Sequence, residues 1–153
     1  MVKIDNIDRS IIHALQVDGC LSQRALADEV GLSQNACARR LQRLEQAGVI
    51  TGRTARVDPA MVGLALTVFV LVKTRFHDLE WARQFHRKVE SIPEIVDLHR
   101  IGGEWDYMLK VVTTDMAGYD RVYRRLIDGM SFEVVSGLFS METLFDTRPI
   151  RVA

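Results

Sequence analysis

The chain has 153 residues, with 20 Lys and Arg balanced by 20 Asp and Glu and a 48% hydrophobic content, which suits one or two globular domains. No apolar run approaches the length of a membrane span and the N-terminus lacks a signal peptide's hydrophobic core, so a soluble, cytosolic protein without membrane partners is expected. Cys20 and Cys37 form no CxxC pair and His13, His77, His86 and His99 are scattered, so neither a metal site nor a cofactor is expected.

From Asp5 to Val17, the apolar residues Ile7, Ile11, Ala14 and Leu15 recur on one face, predicting a first amphipathic helix. Ser22 is placed to cap a short second helix, Gln23 to Val30, with Ala25, Leu26 and Val30 inward. Gly31 supplies a left-handed turn, Leu32 plugs the corner, and Ser33 caps a third helix that stops at Gly48. On a helical wheel that third helix turns Cys37, Leu41, Leu44 and Gly48 to one side. Asn35, Arg39, Gln42, Arg43 and Gln46 occupy the other, beside small Ala38.

This order predicts a tri-helical helix-turn-helix head over residues 1–50 whose third helix reads double-stranded DNA. Ser33 and Gln34, at the helix N-terminus, are candidates for the DNA backbone or the first base edges. Asn35, Arg39 and Arg43 are candidates for the groove, where Asn prefers adenine and Arg prefers guanine. Arg40 borders the buried face, so it suits a structural salt bridge or a phosphate contact. The plainer alternative is three helices packed for stability, with Arg39, Arg40 and Arg43 as a solvated face. Such a face normally mixes in acids, and only Glu45 interrupts this one.

Zero net charge argues at first against a nucleic-acid partner, but the distribution answers that. Between Leu32 and Val57 stand Arg39, Arg40, Arg43, Arg53 and Arg56 against the single acid Glu45, whereas acids outnumber bases from Asp58 onward. A basic stripe on a neutral molecule suits specific, multivalent binding, and its modest charge makes dimerisation expected.

Val49 to Pro59 is β-prone and broken by Gly and Pro, and reads as a connecting strand or small wing within a β-hinge over residues 51–63; Arg53 and Arg56 there can touch phosphate. Leu64 to Phe76 is a long β-rich run with Val68, Val70 and Val72 on one side and Phe69 and Leu71 on the other, so both faces need cover. Asp78 to Ile92 is helical, with Leu79, Ala82, Phe85, Val89 and Ile92 inward and Pro93 as the stop. Ile95 to Ile101, the Gly102-Gly103-Glu104 turn and Trp105 to Val112 form a hairpin. Thr114 or Asp115 caps a helix to Met130, with Met116, Tyr119, Tyr123, Leu126, Ile127 and Met130 inward, and a last strand runs from about Glu133 to Leu144.

The β-α-β-β-α-β order is the ferredoxin-like pattern, giving an α+β chain whose second domain covers residues 64–153. Two helices cover one face of a four-stranded sheet. Apolar residues on the other, among Phe69, Leu71, Leu138 and Phe139, require a second copy, which makes the protein an obligate dimer.

Several spaced markers carry a family resemblance: Asp5-x-x-Asp8-x-x-Ile11-x-x-x-Leu15, Ala27-x-x-Val30-Gly31-Leu32-Ser33, Arg39-Arg40-Leu41-x-x-Leu44-Glu45-x-x-Gly48-Val49-Ile50, Asp58-Pro59-x-x-x-Gly63 and Gly103-Glu104-Trp105-Asp106-Tyr107. In this order they resemble the Lrp/AsnC, or feast/famine, transcription regulators over essentially the whole chain. The resemblance implies a DNA-binding regulator whose C-terminal domain assembles the protein and senses a small metabolite, usually an amino acid. It also implies dimers joined through the β-domains, often assembled as octamers, acting on the nucleoid in the cytoplasm. The effector in such proteins lies between dimers, near the turn matching Gly102 to Asp106 and the last strand matching Ser136 to Glu142.

An amino acid needs donors for its carboxylate and an acceptor for its ammonium. Gly102 and Gly103 can offer bare backbone N–H groups, and Glu104 or Asp106 can accept the ammonium. Ser136 and Ser140 add hydroxyls, while Leu138 and Phe139 can line a side-chain pocket. The plainer reading makes Gly102-Gly103 a turn, Asp106 a cap or a partner of Arg100, and the serines surface residues. Many members of the resembled family carry Thr or Ser where Gly102 stands. Two rivals remain: a siroheme-decarboxylase-like enzyme using His99 and Arg100 as an acid–base pair, and an effector-independent architectural DNA-binding protein. The Arg-rich head favours a regulator that is not an enzyme.

Overall fold

Asp5 opens helix α1 (Asn6–Val17) with a reciprocal cap: its carboxylate accepts the Asp8 N–H at 2.9 Å, and Asp8 accepts the Asp5 N–H at 3.1 Å. In the computed structural model, which describes residues 2–152, α2 (Gln23–Glu29) follows with Ser22 as its cap. Helix α3 (Gln34–Gln46) begins at Ser33, whose hydroxyl accepts the Ala36 N–H at 3.3 Å. The turn between α2 and α3 is closed by the Leu32 N–H donating to the Ala27 carbonyl at 2.9 Å. Ile11, Ile12, Ala14, Leu26, Ala27, Cys37, Leu41 and Leu44 form the buried core of the three helices. The helices and their caps match the expected head, as do Cys37, Leu41 and Leu44 of α3, but Gly48 is exposed and in α2 Ala27 is buried in place of the expected Ala25. Burial pushes the Cys37 thiol pKa up.

The chain forms two compact units, one built from the residues up to Arg56 together with the segment from Leu144 onward, the other from Val57–Thr143. The return of the C-terminal segment to the head departs from the expected boundaries. Gln16 brackets Ile150, accepting its N–H at 2.7 Å and donating to its carbonyl at 3.2 Å. Val152 packs against the helical core, and Arg56 Nη2 donates to the Asp146 carbonyl at 3.0 Å. One amide side chain and one valine leave no periodic signal in a sequence. The expected β-hinge is also corrected. Among the described residues, 51–58 form no strand and are exposed, because a β-prone segment with no partner has no ladder to join.

The second unit opens with a 3₁₀ turn, Ala60–Val62. It then gives β1 (Leu66–Lys73), α4 (Leu79–Glu90), β2 (Ile95–Arg100), β3 (Tyr107–Thr113), α5 (Met116–Ile127) and β4 (Val134–Phe139). The strands form one antiparallel sheet in the order β2-β3-β1-β4, the ferredoxin-like arrangement. Val68, Val70 and Val72 of β1 are buried with Trp81, Phe85, Val89, Ile92, Val122 and Leu126 of the helical layer. On the other face the register aligns Phe69 with Leu138 and Leu71 with Met108 and Ser136, and Leu138 there is 51% exposed.

The helices keep their expected positions but turn differently. In α4 the row Trp81, Phe85, Val89 faces the sheet while Leu79 is 76% exposed, because seating the aromatic rings removes more apolar surface from water than seating Leu79. In α5 the row Gly118, Val122, Leu126 is inward, and Met116 and Ile127 are exposed. Phe139 lies on the helical face, its ring 5.4 Å from that of Tyr119. Gly137 explains that contact: a Cβ there would overlap the Tyr119 hydroxyl and stand 3.0 Å from its ring carbon Cζ. The glycine lets a phenol cross β4.

Candidate nucleic-acid interface and effector site

Helix α3 presents Gln34, Asn35, Arg39, Gln42, Arg43 and Gln46 as exposed side chains, with Arg40 more sheltered. A groove of about 490 Å³ runs along this face, lined by Asp5, Arg39, Arg40, Gln42, Arg43 and Gln46. Ser33 spends its hydroxyl on capping, but it sits exposed at the helix N-terminus beside Gln34. Its place suits an anion more than a base edge.

The arginines are not equivalent. Arg39 has no carboxylate partner among the described residues. Arg40 Nη1 donates to Asp5 Oδ2 at 2.7 Å and to Asp8 Oδ1 at 2.9 Å, so of its two expected roles the salt bridge is the one formed. Arg43 Nη2 donates to Asp8 Oδ2, which corrects the expectation of a guanidinium left wholly to the groove. Asp8 is 0% exposed, whereas the Arg43 side chain remains 47% exposed. Burial alone would raise the pKa of Asp8, but the Asp5 backbone N–H and the guanidinia of Arg43 and Arg40 hold it below the ordinary carboxylate value. For Asp5 the bond from the Asp8 N–H, followed by that from Arg40, lowers the pKa to about 2. Further along, Arg53 pairs with Glu45 at 3.2 Å on the surface.

Asp8 was missed as a site residue. Its spacing from Asp5 was visible, and the reciprocal cap is the signal that could have found it. Its burial against α3 had no local sign.

In the second unit, Gly102, Gly103 and Glu104 lie exposed in the turn between β2 and β3, and Gly103 takes φ 124°. Asp106 is already engaged: its Oδ2 accepts the Thr74 N–H at 2.8 Å, and its own N–H donates to the Val72 carbonyl at 3.0 Å. It therefore ties the turn to the end of β1 instead of pairing with Arg100. Ser136 is half-buried and aligned with Leu71 in the sheet. Ser140 lies at the far end of β1, where its N–H donates to the Thr67 carbonyl at 3.0 Å. Thr67 and Val72 are separated by on the order of 15 Å of strand, so one chain does not bring Ser140 to the turn. The expected pocket lining is also split. Leu138 faces the open side and Phe139 the helical side.

His99 and Arg100 do not converge. They are successive residues of β2, aligned with Met108 and Tyr107, so they point to opposite faces. Among the described residues no cluster of His, Cys, Asp or Glu can hold a metal ion, and no helix is long and apolar enough to cross a membrane.

A capped tri-helical head with a polar, partly basic third helix, followed by a ferredoxin-like sheet, defines a two-unit DNA-binding transcription regulator. Residues 4–51 match the winged helix-turn-helix DNA-binding model, and residues 67–150 match the Lrp/AsnC ligand binding domain. The chain belongs to the Lrp/AsnC family. It is 41% identical over 142 residues to the DNA-binding transcriptional activator DecR of Escherichia coli K12, covering 92% of this chain and 93% of that one. An AsnC family transcriptional regulator from Agrobacterium tumefaciens superposes with TM-score 0.90 at 41% identity, covering 96% of each chain. A Neisseria meningitidis transcriptional regulator solved in complex with L-methionine superposes with TM-score 0.86 at 28% identity, covering 97% of this chain and 96% of that one.

Proposed function

We propose that this regulator responds to an amino acid and reads pseudo-palindromic operators as a dimer. Paired sheets cover Phe69, Leu71 and Leu138, and two α3 helices then enter successive major grooves. Ser33 and Gln34 serve the backbone, Asn35, Arg39 and Arg43 reach base edges, and Arg40 stays in its salt bridge with Asp5 and Asp8. The observation that carries this reading is the exposed face of α3, where Arg39 has no carboxylate partner among the described residues.

The effector would meet the Gly102–Gly103 backbone and Glu104, with the free oxygen of Asp106 and the hydroxyls of Ser136 and Ser140 nearby once copies assemble. Because Ser140 stands far from the turn within one chain, the site is completed between copies, which suits assembly of dimers into octamers. The L-methionine bound by the Neisseria relative supports an amino acid as the ligand class. Effector binding changes DNA occupancy only through unequal affinity for two assembly states. His99 and Arg100 stand on opposite faces of the sheet, which speaks against the enzyme reading and favours a regulator that acts in the cytoplasm and on the nucleoid.

The test is a gel shift at moderate salt on an operator selected from random DNA. Arg39→Ala should lose specific binding by about tenfold or more, the worth of a bidentate base contact, and keep the wild-type elution volume in gel filtration. Normal operator binding by that variant refutes the assignment of α3.

A further inference from the structure

Asp8 is fully buried at the start of α1, yet every group that licenses its charge serves the reading helix or the cap of α1. Its two oxygens accept from Arg40 Nη1, Arg43 Nη2 and the Asp5 N–H. Asp5 adds a second bond to the same Arg40 nitrogen. The device that starts α1 is therefore also a clamp on α3.

Two acids and two arginines in this cluster sum to zero charge, leaving Arg39 as the uncompensated cation on the α3 face. Arg43 is held by one nitrogen, and a guanidinium carries five N–H donors in a fixed fork. The Arg43 side chain is 47% exposed and lines the groove with Arg39, Gln42 and Gln46, which leaves its remaining donors free to serve there. Held in this way, Arg43 offers directed hydrogen bonds with little free charge. Directed bonds discriminate bases, whereas free charge binds any phosphate.

We propose that Asp8 is a positioning residue for DNA reading, which sets the ratio of specific to non-specific binding by holding Arg40 and Arg43 off the phosphates and aiming the Arg43 fork into the groove. This rests on α3 being the DNA-reading helix. Removing the Asp8 charge releases about one net positive charge on that face. Each added phosphate contact steepens the slope of log affinity against log salt by about 0.9.

The experiment measures affinity of the full-length protein for a selected operator and for a scrambled duplex from 50 to 300 mM KCl, approximately the range where the salt term dominates. Wild type, Asp8→Asn, Asp8→Asn/Arg40→Gln and Arg39→Ala are compared. Asp8→Asn should bind scrambled DNA several-fold more tightly at low salt, with a slope steeper by about one, while its preference for the operator falls about tenfold. The double variant, with charge balance restored, should return the slope to the wild-type value but not the preference.

If Asp8→Asn weakens both duplexes equally with an unchanged slope, or changes neither, the positioning role is wrong and the residue is structural. Should Asp8→Asn unfold the head, Asp5→Asn releases one of the two acids on Arg40, and scrambled-DNA affinity must rise if the idea holds and stay put if it does not. Arg39→Ala separates the two failures. If it too leaves operator binding intact, the assignment of α3 has failed; if it abolishes that binding, only the role of Asp8 is in question.

Discussion

Replacing Gly137 by alanine asks whether a tyrosine ring crosses β4 as described. Two effects compete. Alanine is the better strand residue by about 0.5–1 kcal/mol, because glycine loses more freedom on folding. Against this, the added Cβ overlaps the Tyr119 hydroxyl, stands 3.0 Å from Tyr119 Cζ and meets Val68 Cγ1 at 3.4 Å. Tyr119 cannot swing away freely, since its ring packs 5.4 Å from Phe139 and 6.4 Å from Tyr123. Overpacking of this kind costs about 1–3 kcal/mol, so Gly137→Ala should destabilise the unit by a net ~1–2 kcal/mol.

Tyr119→Phe removes the overlapping oxygen, and in that background the same substitution should cost clearly less, since only the tight contacts to Cζ and Val68 Cγ1 remain. The assay is urea denaturation followed by tryptophan fluorescence. Both tryptophans, Trp81 and Trp105, lie in the Val57–Thr143 unit, so the signal reports this sheet and not the head. An equal loss in the two backgrounds, or a gain for Gly137→Ala alone, would refute the packing argument.

Acid should loosen the head in a defined window. The pKa of Asp5 is held at about 2 in the folded chain, against 3.8 for an ordinary Asp, so between those values the unfolded state binds more protons and stability falls as pH falls. Far-UV ellipticity during urea melts from about pH 4.5 to 2 should show that decline, and Asp5→Asn should flatten it; an identical decline in the variant would contradict the assignment. The C-terminal segment can be tested through Gln16, whose two bonds to Ile150 are exposed. Gln16→Ala should cost about 1 kcal/mol and speed tryptic cleavage after Arg148 and Arg151, and unchanged cleavage rates would show that the bracket does not hold the segment.

What could be read from the chain follows from where each signal resides. The caps Ser22, Ser33 and Asp78 act within three residues of themselves, and the inward face of α3 repeats on the helical period, so both are written locally. Errors appeared where two apolar frames competed on one helix. Leu79 and Met116 fitted the period, but Trp81 and Val122 took the core. The seam of Asp8 was hidden for a different reason: a carboxylate at a buried helical position breaks the pattern, and its partners Arg40 and Arg43 are 32 and 35 residues away. The proposed effector residues are harder still. Ser136 in β4 and Ser140 just past its end have the spacing of a single site, yet the register sends Ser140 toward Thr67 and leaves the Gly102–Asp106 turn beside Val72. If the effector site is completed between copies, as proposed, it follows no spacing along the chain, and mutating Ser140 should alter effector response only under conditions where dimers assemble further.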